Sequence, residues 1–144
     1  MAEAYQKMDK SAADGMKTSE DKTAAVTAAW ERVRSDATPA VEWAIFGVEG
    51  KSFALKSEGA GTQGMLDALD EADVNFGGFR VSDGGATKFY HLLYVGSGVG
   101  IIKKNKAQMQ KNAPFNAMPG TAGDVELPQG EKTAEKLAAL ISAV

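Results

Sequence analysis

The chain predicts one domain of the α/β (α+β) class, a central mixed five-stranded sheet sandwiched between helices. Three observations carry that expectation. The strand read at Lys88–Val95 is apolar or aromatic at nearly every position, as a central strand covered on both faces requires. Val26, Ala29, Trp30 and Val33 recur at i, i+3, i+4 and i+7, and so do Leu137, Leu140, Ile141 and Val144, the spacing of one helix face. Between these helices the elements run in the order α-β-β-α-β-β-α-β-α, without an internal repeat.

Along the chain, residues 1–18 form a polar extension with isolated apolar residues, and the domain proper spans 19–144. A first helix is expected from Asp21 to Arg34, opened by a capping-box pattern at Thr18 and Asp21, with Pro39 separating it from the first strand. Val41–Val48, rich in β-favouring residues, turns at Glu49-Gly50 into an alternating strand over Ser52–Lys56, a hairpin. A loop holding Gly59, Gly61 and Gly64 leads to a short helix carrying Met65, Leu66 and Leu69 and ending near Asp73. Val74–Val81 and Lys88–Val95 pair across the polar turn after Val81. A helix from Ile101 to Asn112, cut by Pro114, precedes a short strand at Asp124–Leu127 and an amphipathic helix over Thr133–Val144.

Composition narrows the function. The 144 residues are 44% hydrophobic and 24% charged, an ordinary globular balance. A net charge of −3 argues against nucleic acid as a partner, which asks for a broadly basic face. The absence of cysteine excludes disulfides and thiol catalysis and fits a reducing compartment. No apolar run reaches a membrane span and no apolar signal centre opens the chain, so a cytoplasmic protein without integral membrane association is expected.

Candidate chemistry is sparse. Gly96-Ser97-Gly98-Val99-Gly100 joins a strand to a helix, but its glycine spacing misses the dinucleotide fingerprint and no Gly-Lys-Ser/Thr comes after it; a plain connection is the better reading. His91, the one histidine, sits mid-strand and reads as a packed core residue, neither catalyst nor metal ligand. Asp67, Asp70, Glu71 and Asp73 read as a solvated acidic face. Charge is polarised locally: Glu58 to Asp73 holds five acidic residues and no basic one, whereas Lys103, Lys104, Lys106 and Lys111 occur with no acidic residue among them. A basic helix with Met109 as an adaptable apolar contact suits docking to an acidic partner.

Four segments together resemble the actin-depolymerising-factor homology family, and within it the coactosin type. They are the helix Asp21-Lys22 through Trp30-Glu31-Arg32-Val33-Arg34-Ser35-Asp36, the strand and hairpin from Val41-Glu42-Trp43 to Gly50, the aromatic strand Phe76–Val81 with its arginine, and Thr87-Lys88-Phe89 through Tyr94-Val95-Gly96. The resemblance spans about residues 21–144. It implies a non-catalytic, cofactor-free monomer that binds actin, filaments in preference to monomers, and modulates actin dynamics in the cytoplasmic actin cytoskeleton. By the same resemblance, the actin-binding residues are Lys88 and, on the helix after the central strand, Lys103, Lys104, Lys106, Met109 and Lys111. Anionic phosphoinositides are a further candidate partner, suggested by the lysines from Lys103 to Lys111 and the Gly96–Gly100 turn. A cofilin- or profilin-like monomer binder and an anionic-lipid module are the alternative readings. The chain departs from the family pattern at Pro114 and Pro119, which shorten the third helix, and in its apolar C-terminus. These departures weigh against strong severing. No regulatory role is carried onto Ser11 or Ser19.

Overall fold

The computed structural model describes residues 22–36 and 40–144. The 1–18 extension, the Thr18–Asp21 capping pattern and Pro39 lie outside them. The described elements are α1 (Ala24–Arg34), β1 (Trp43–Glu49), β2 (Ser52–Gly59), α2 (Thr62–Ala68), β3 (Val74–Asp83), β4 (Ala86–Val95), α3 (Ile101–Gln110), α4 (Asn112–Asn116), β5 (Gly123–Leu127) and α5 (Ala134–Ala143). The five strands order β2-β1-β3-β4-β5. Every pairing is antiparallel except β4 with β5, whose parallel register needs the long crossover that α3 and α4 supply. The sheet is therefore mixed and five-stranded, with helices on both faces.

Strand alternation divides the core in two. On β4, Leu93 and Val95 point to the side covered by α1, α3 and α4, while Tyr90, Leu92 and Tyr94 point to the side covered by α2 and α5. β1 does the same, sending Ala44 and Phe46 one way and Trp43 and Ile45 the other. This is why the central strands carry apolar residues without alternation.

The α1 face is built around Trp30. All four residues of its apolar stripe, Val26, Ala29, Trp30 and Val33, are buried. Trp30 rests where Gly78 lacks a side chain; a Cβ there would stand 2.5 Å from the indole and 2.6 Å from the Met118 sulfur. Its Nε1–H donates to the Pro119 carbonyl at 2.9 Å. Arg80 closes the other end of α1, donating to the Val33 and Ser35 carbonyls and pairing with Asp36 at 2.8 Å. Truncating Trp30 to Ala would cost about 3–5 kcal/mol of stability by the usual scale for buried aromatics.

Several expected boundaries move. α2 ends at Ala68 rather than near Asp73, because Asp70 folds the chain into a side-chain turn: its carboxylate accepts from the Ala72 N–H while its own N–H donates to Asn75. β4 begins at Ala86 rather than Lys88, since Gly84 and Gly85 hold positive φ (59° and 88°) and close a two-residue hairpin turn that pairs Asp83 with Ala86. α3 stops at Gln110, whose carbonyl would need the N–H that Pro114 lacks, and the chain resumes as α4 with Pro114 in its first turn. In α5 Leu137 is buried and Leu140 and Ile141 pack partly, but Val144, expected on the same apolar face, is 54% exposed.

Candidate functional site

Lys88 is exposed on β4, opposite Val81. It shares the sheet face of Tyr90 and Leu92, the face covered by α5, and borders a groove of about 380 Å³ lined also by Val81, Tyr90, Ala122, Ile141 and Val144. Among the carboxylates whose side chains are described, none forms an ion pair with it.

The α3 helix sits on the other face of the sheet, anchored by Ala107, its one buried residue. At about 3.6 residues per turn, Ile101, Ile102, Asn105, Lys106 and Met109 fall on the arc away from Ala107, and Lys103, Lys104 and Lys111 fall on the arc beside it. Exposure follows that division except at Lys103: Ile102 is 82% exposed, Met109 77% and Ile101 66%, Lys104 and Lys111 are half-buried, and Lys103, at the first turn, is exposed. Lys103 is paired at the surface, its Nζ 2.9 Å from Asp73. The four lysines thus do not form one face. Of the residues named from sequence, only Lys106 and Met109 lie together on the outward arc. They are joined by Ile101 and Ile102, which sequence reading did not single out. A signal existed: two isoleucines opening a helix out of phase with its buried face.

Lys88 and α3 are not brought together. They lie on opposite faces of the sheet, and Lys88 is seven residues, about 23 Å of strand, from the end of β4 that leads into α3.

That second end of β4 is tightly bonded. Gly96 N–H donates to the Asp73 carbonyl, Ser97 N–H to the Glu71 carboxylate, Gly98 N–H to the Glu71 carbonyl and Val99 N–H to the Gly96 carbonyl. Gln129 donates to the Gly96 and Val99 carbonyls, both at 2.9 Å. With these amides turned inward, the Gly96–Gly100 segment is a connection and not an anion cradle.

The same bonds add partners to the acidic run, whose side chains stay partly open to solvent: Asp70 is 44% exposed, Glu71 43% and Asp73 32%. Glu71 accepts from Ser97 N–H and from the Tyr94 hydroxyl, in that order the main reasons its carboxyl is held below the ordinary range. Burial, then the Glu71 carboxylate, pushes the Tyr94 hydroxyl up to about 12. Asp70 is lowered first by the Ala72 N–H and then by Lys56. For Asp73 burial is the largest influence and acts upward, but hydrogen bonds from Lys103 and the Val74 N–H, with the charges of Lys103 and Lys56, outweigh it and lower the group.

His91 is 8% exposed and packs as expected for a core histidine. Its ring stacks on Phe115 at 4.4 Å, with Nδ1 2.8 Å from Asp124 and Nε2 2.7 Å from the Met118 carbonyl. That carbonyl can only accept, so Nε2 carries a proton.

The described side chains thus present exposed basic patches on opposite faces of one sheet, with His91 packed in the core. The model of cofilin/tropomyosin-type actin-binding proteins matches residues 20–135, and the chain belongs to that family. Among solved structures, coactosin from Entamoeba histolytica is 20% identical with a TM-score of 0.73, covering 88% of this chain and 97% of its own. Mouse coactosin, described as an actin filament binding protein, is 22% identical with a TM-score of 0.67, covering 86% of this chain and 89% of its own. Cofilin from Streptomyces griseoflavus is 12% identical with a TM-score of 0.69, covering 81% and 94%. At these identities the likeness is one of fold. The comparison with curated proteins returned no match. No helix among the described residues is long and apolar enough to cross a membrane.

Proposed function

We propose that this protein binds the side of actin filaments, without catalysis, through two separate surfaces: the outward arc of α3, with Ile102, Lys106 and Met109, and the start of β4, with Lys88. The observation that carries the reading is their separation onto opposite faces of one rigid sheet. A protein contacting two neighbouring filament subunits needs two such surfaces, whereas a monomer binder needs one. The filament binding ascribed to mouse coactosin, which shares the fold, supports the same choice. Lys103, Lys104 and Lys111 contribute background positive charge on the flank of α3, and action on the actin cytoskeleton in the cytoplasm is the consequence of such a partner.

Co-sedimentation with filamentous actin, run beside binding to monomers held unpolymerised, tests the proposal. Pelleting that weakens in both Ile102→Asp and Lys88→Glu supports a two-surface filament binder. Pelleting unchanged by Lys88→Glu but abolished by Ile102→Asp would reduce the site to one surface, and binding to monomers without pelleting would favour a monomer-binding mode.

A further inference from the structure

We propose that the groove beside α3 is a docking site for this chain's own residues 1–21, which cover the α3 face when actin is absent. The regulatory consequence rests on the actin reading above; the docking itself does not.

The groove has a volume of about 640 Å³ between the end of β1 and the first turns of α3, with Val48, Val74, Ile101 and Ile102 as its apolar wall and Lys106 and the Lys103–Asp73 pair at its rim. Its isoleucines are among the most exposed apolar side chains of the described residues. Such a patch on a soluble protein calls for an occupant.

The path of α1 delivers one. Trp30 sits over Gly78, and three residues later the Val33 carbonyl meets Arg80, so α1 and β3 advance in the same direction. Running back from Trp30 to Thr23 covers about 10 Å of helix, equivalent to about three strand residues, which brings the chain to the level of Asn75. Val26 packs in the same cluster as Val74. Residues 1–21 are therefore tethered at the end of the sheet where Val74 and Val48 wall the groove.

Their chemistry complements it. Met1, Met8 and Met16 are half of the six methionines in the chain, and Tyr5 adds an aromatic ring to an otherwise polar stretch. Methionine adapts to irregular apolar grooves better than any branched residue. Glu3, Asp9, Asp14, Glu20 and Asp21 outnumber Lys7, Lys10 and Lys17, while the helix they would cover is basic. Tethering raises the local concentration to about the millimolar range, so a weak contact suffices for occupancy.

The cysteine-free sequence makes the test clean. A nitroxide attached through Ser11→Cys in the full chain should selectively broaden the NMR signals of Val48, Val74, Ile101 and Ile102 and spare Lys88 and Ile141. The pattern should not change on dilution. Absent or uniform broadening overturns the proposal, and so does broadening that fades on dilution, which would identify a second copy as the occupant. Replacing Tyr5, Met8 and Met16 together by Ser should abolish the selective pattern. If the segment covers the face in about two thirds of molecules, the same variant should bind actin about threefold more tightly; retained broadening with unchanged actin affinity would overturn the competition. A chain that fails to bind actin at all still reports its docking through the labelled spectrum.

Discussion

The outward arc of α3 and the start of β4 both present lysine to solvent, but their neighbours differ. Around Lys106 stand Ile101, Ile102 and Met109, exposed apolar groups that gain by being buried against a partner. Lys88 borders a groove near the end of α5, and Ile141, the one large aliphatic side chain on the helix wall there besides Val144, is already half-buried. The first surface can supply affinity through contact area. The second can supply orientation and association rate through charge. The difference teaches that the lysine count of a helix is a poor guide to where binding energy resides: of the four lysines on and next to α3, one is paired with Asp73 and two lean along the sheet side.

The sharpest way to break this comparison is Ile102→Asp. Removing a side chain whose burial is worth about 1.5–3 kcal/mol should weaken filament co-sedimentation about tenfold to a hundredfold, and the uncharged Ile102→Ser should lose as much at high salt as at low. Circular dichroism should be unchanged, because Ile102 touches no core. Next in size is Tyr94→Phe, which tests the scaffold joining the two surfaces. It deletes the hydroxyl that Glu71 accepts and that Gly130 N–H donates to, and should lower stability by about 1–2 kcal/mol in urea unfolding. Filament affinity should hold where the protein stays folded.

Lys88→Glu should cost several-fold in affinity at low ionic strength, with the loss shrinking as salt rises past about 0.15 M. A loss as large and as salt-independent as that of Ile102→Ser would abolish the distinction between the surfaces. The double variant should be additive in free energy, since the sites share no neighbours. The smallest effect belongs to Lys103→Ala: removal of an exposed ion pair should change stability by less than about 1 kcal/mol and filament binding hardly at all.

Acid should act on the bonded end of β4 before it reaches either surface. Asp70, Glu71 and Asp73 titrate below their ordinary values of 3.8, 4.5 and 3.8 in the folded chain. The unfolded chain therefore takes up protons first as pH falls. The stability these groups contribute is complete above about pH 5 and is lost progressively below about 4.5, toward their depressed folded values. Urea midpoints measured from pH 6 to pH 3 should fall through this window, with a shallower slope in Glu71→Gln.

Much of the architecture was legible in the residues. The spacing of Val26, Ala29, Trp30 and Val33 gave the buried face of α1, and the unbroken apolar run of β4 gave a strand covered twice. His91 read correctly as a core residue because a lone imidazole between Tyr90 and Leu92 had to pack. The acidic run was legible as solvent-open, but the partners that hold it were not. Its carboxylates are spoken for by Ser97, Tyr94, Lys56 and Lys103, partners far away in the chain that no local pattern announces. The boundary of α2 moved for a local reason, Asp70 being held by Asn75 and its own side-chain turn.

What the sequence by itself determined was periodicity, and with it which residues face inward, since side-chain direction repeats with the local backbone and needs no distant information. Which of the outward residues share a surface was decided only by the tertiary structure. Whether a lysine is free or paired, and whether Ile102 and Lys88 stand side by side or on opposite faces of the sheet, depends on strand order and helix placement. Those are set by contacts between segments that the chain itself keeps far apart.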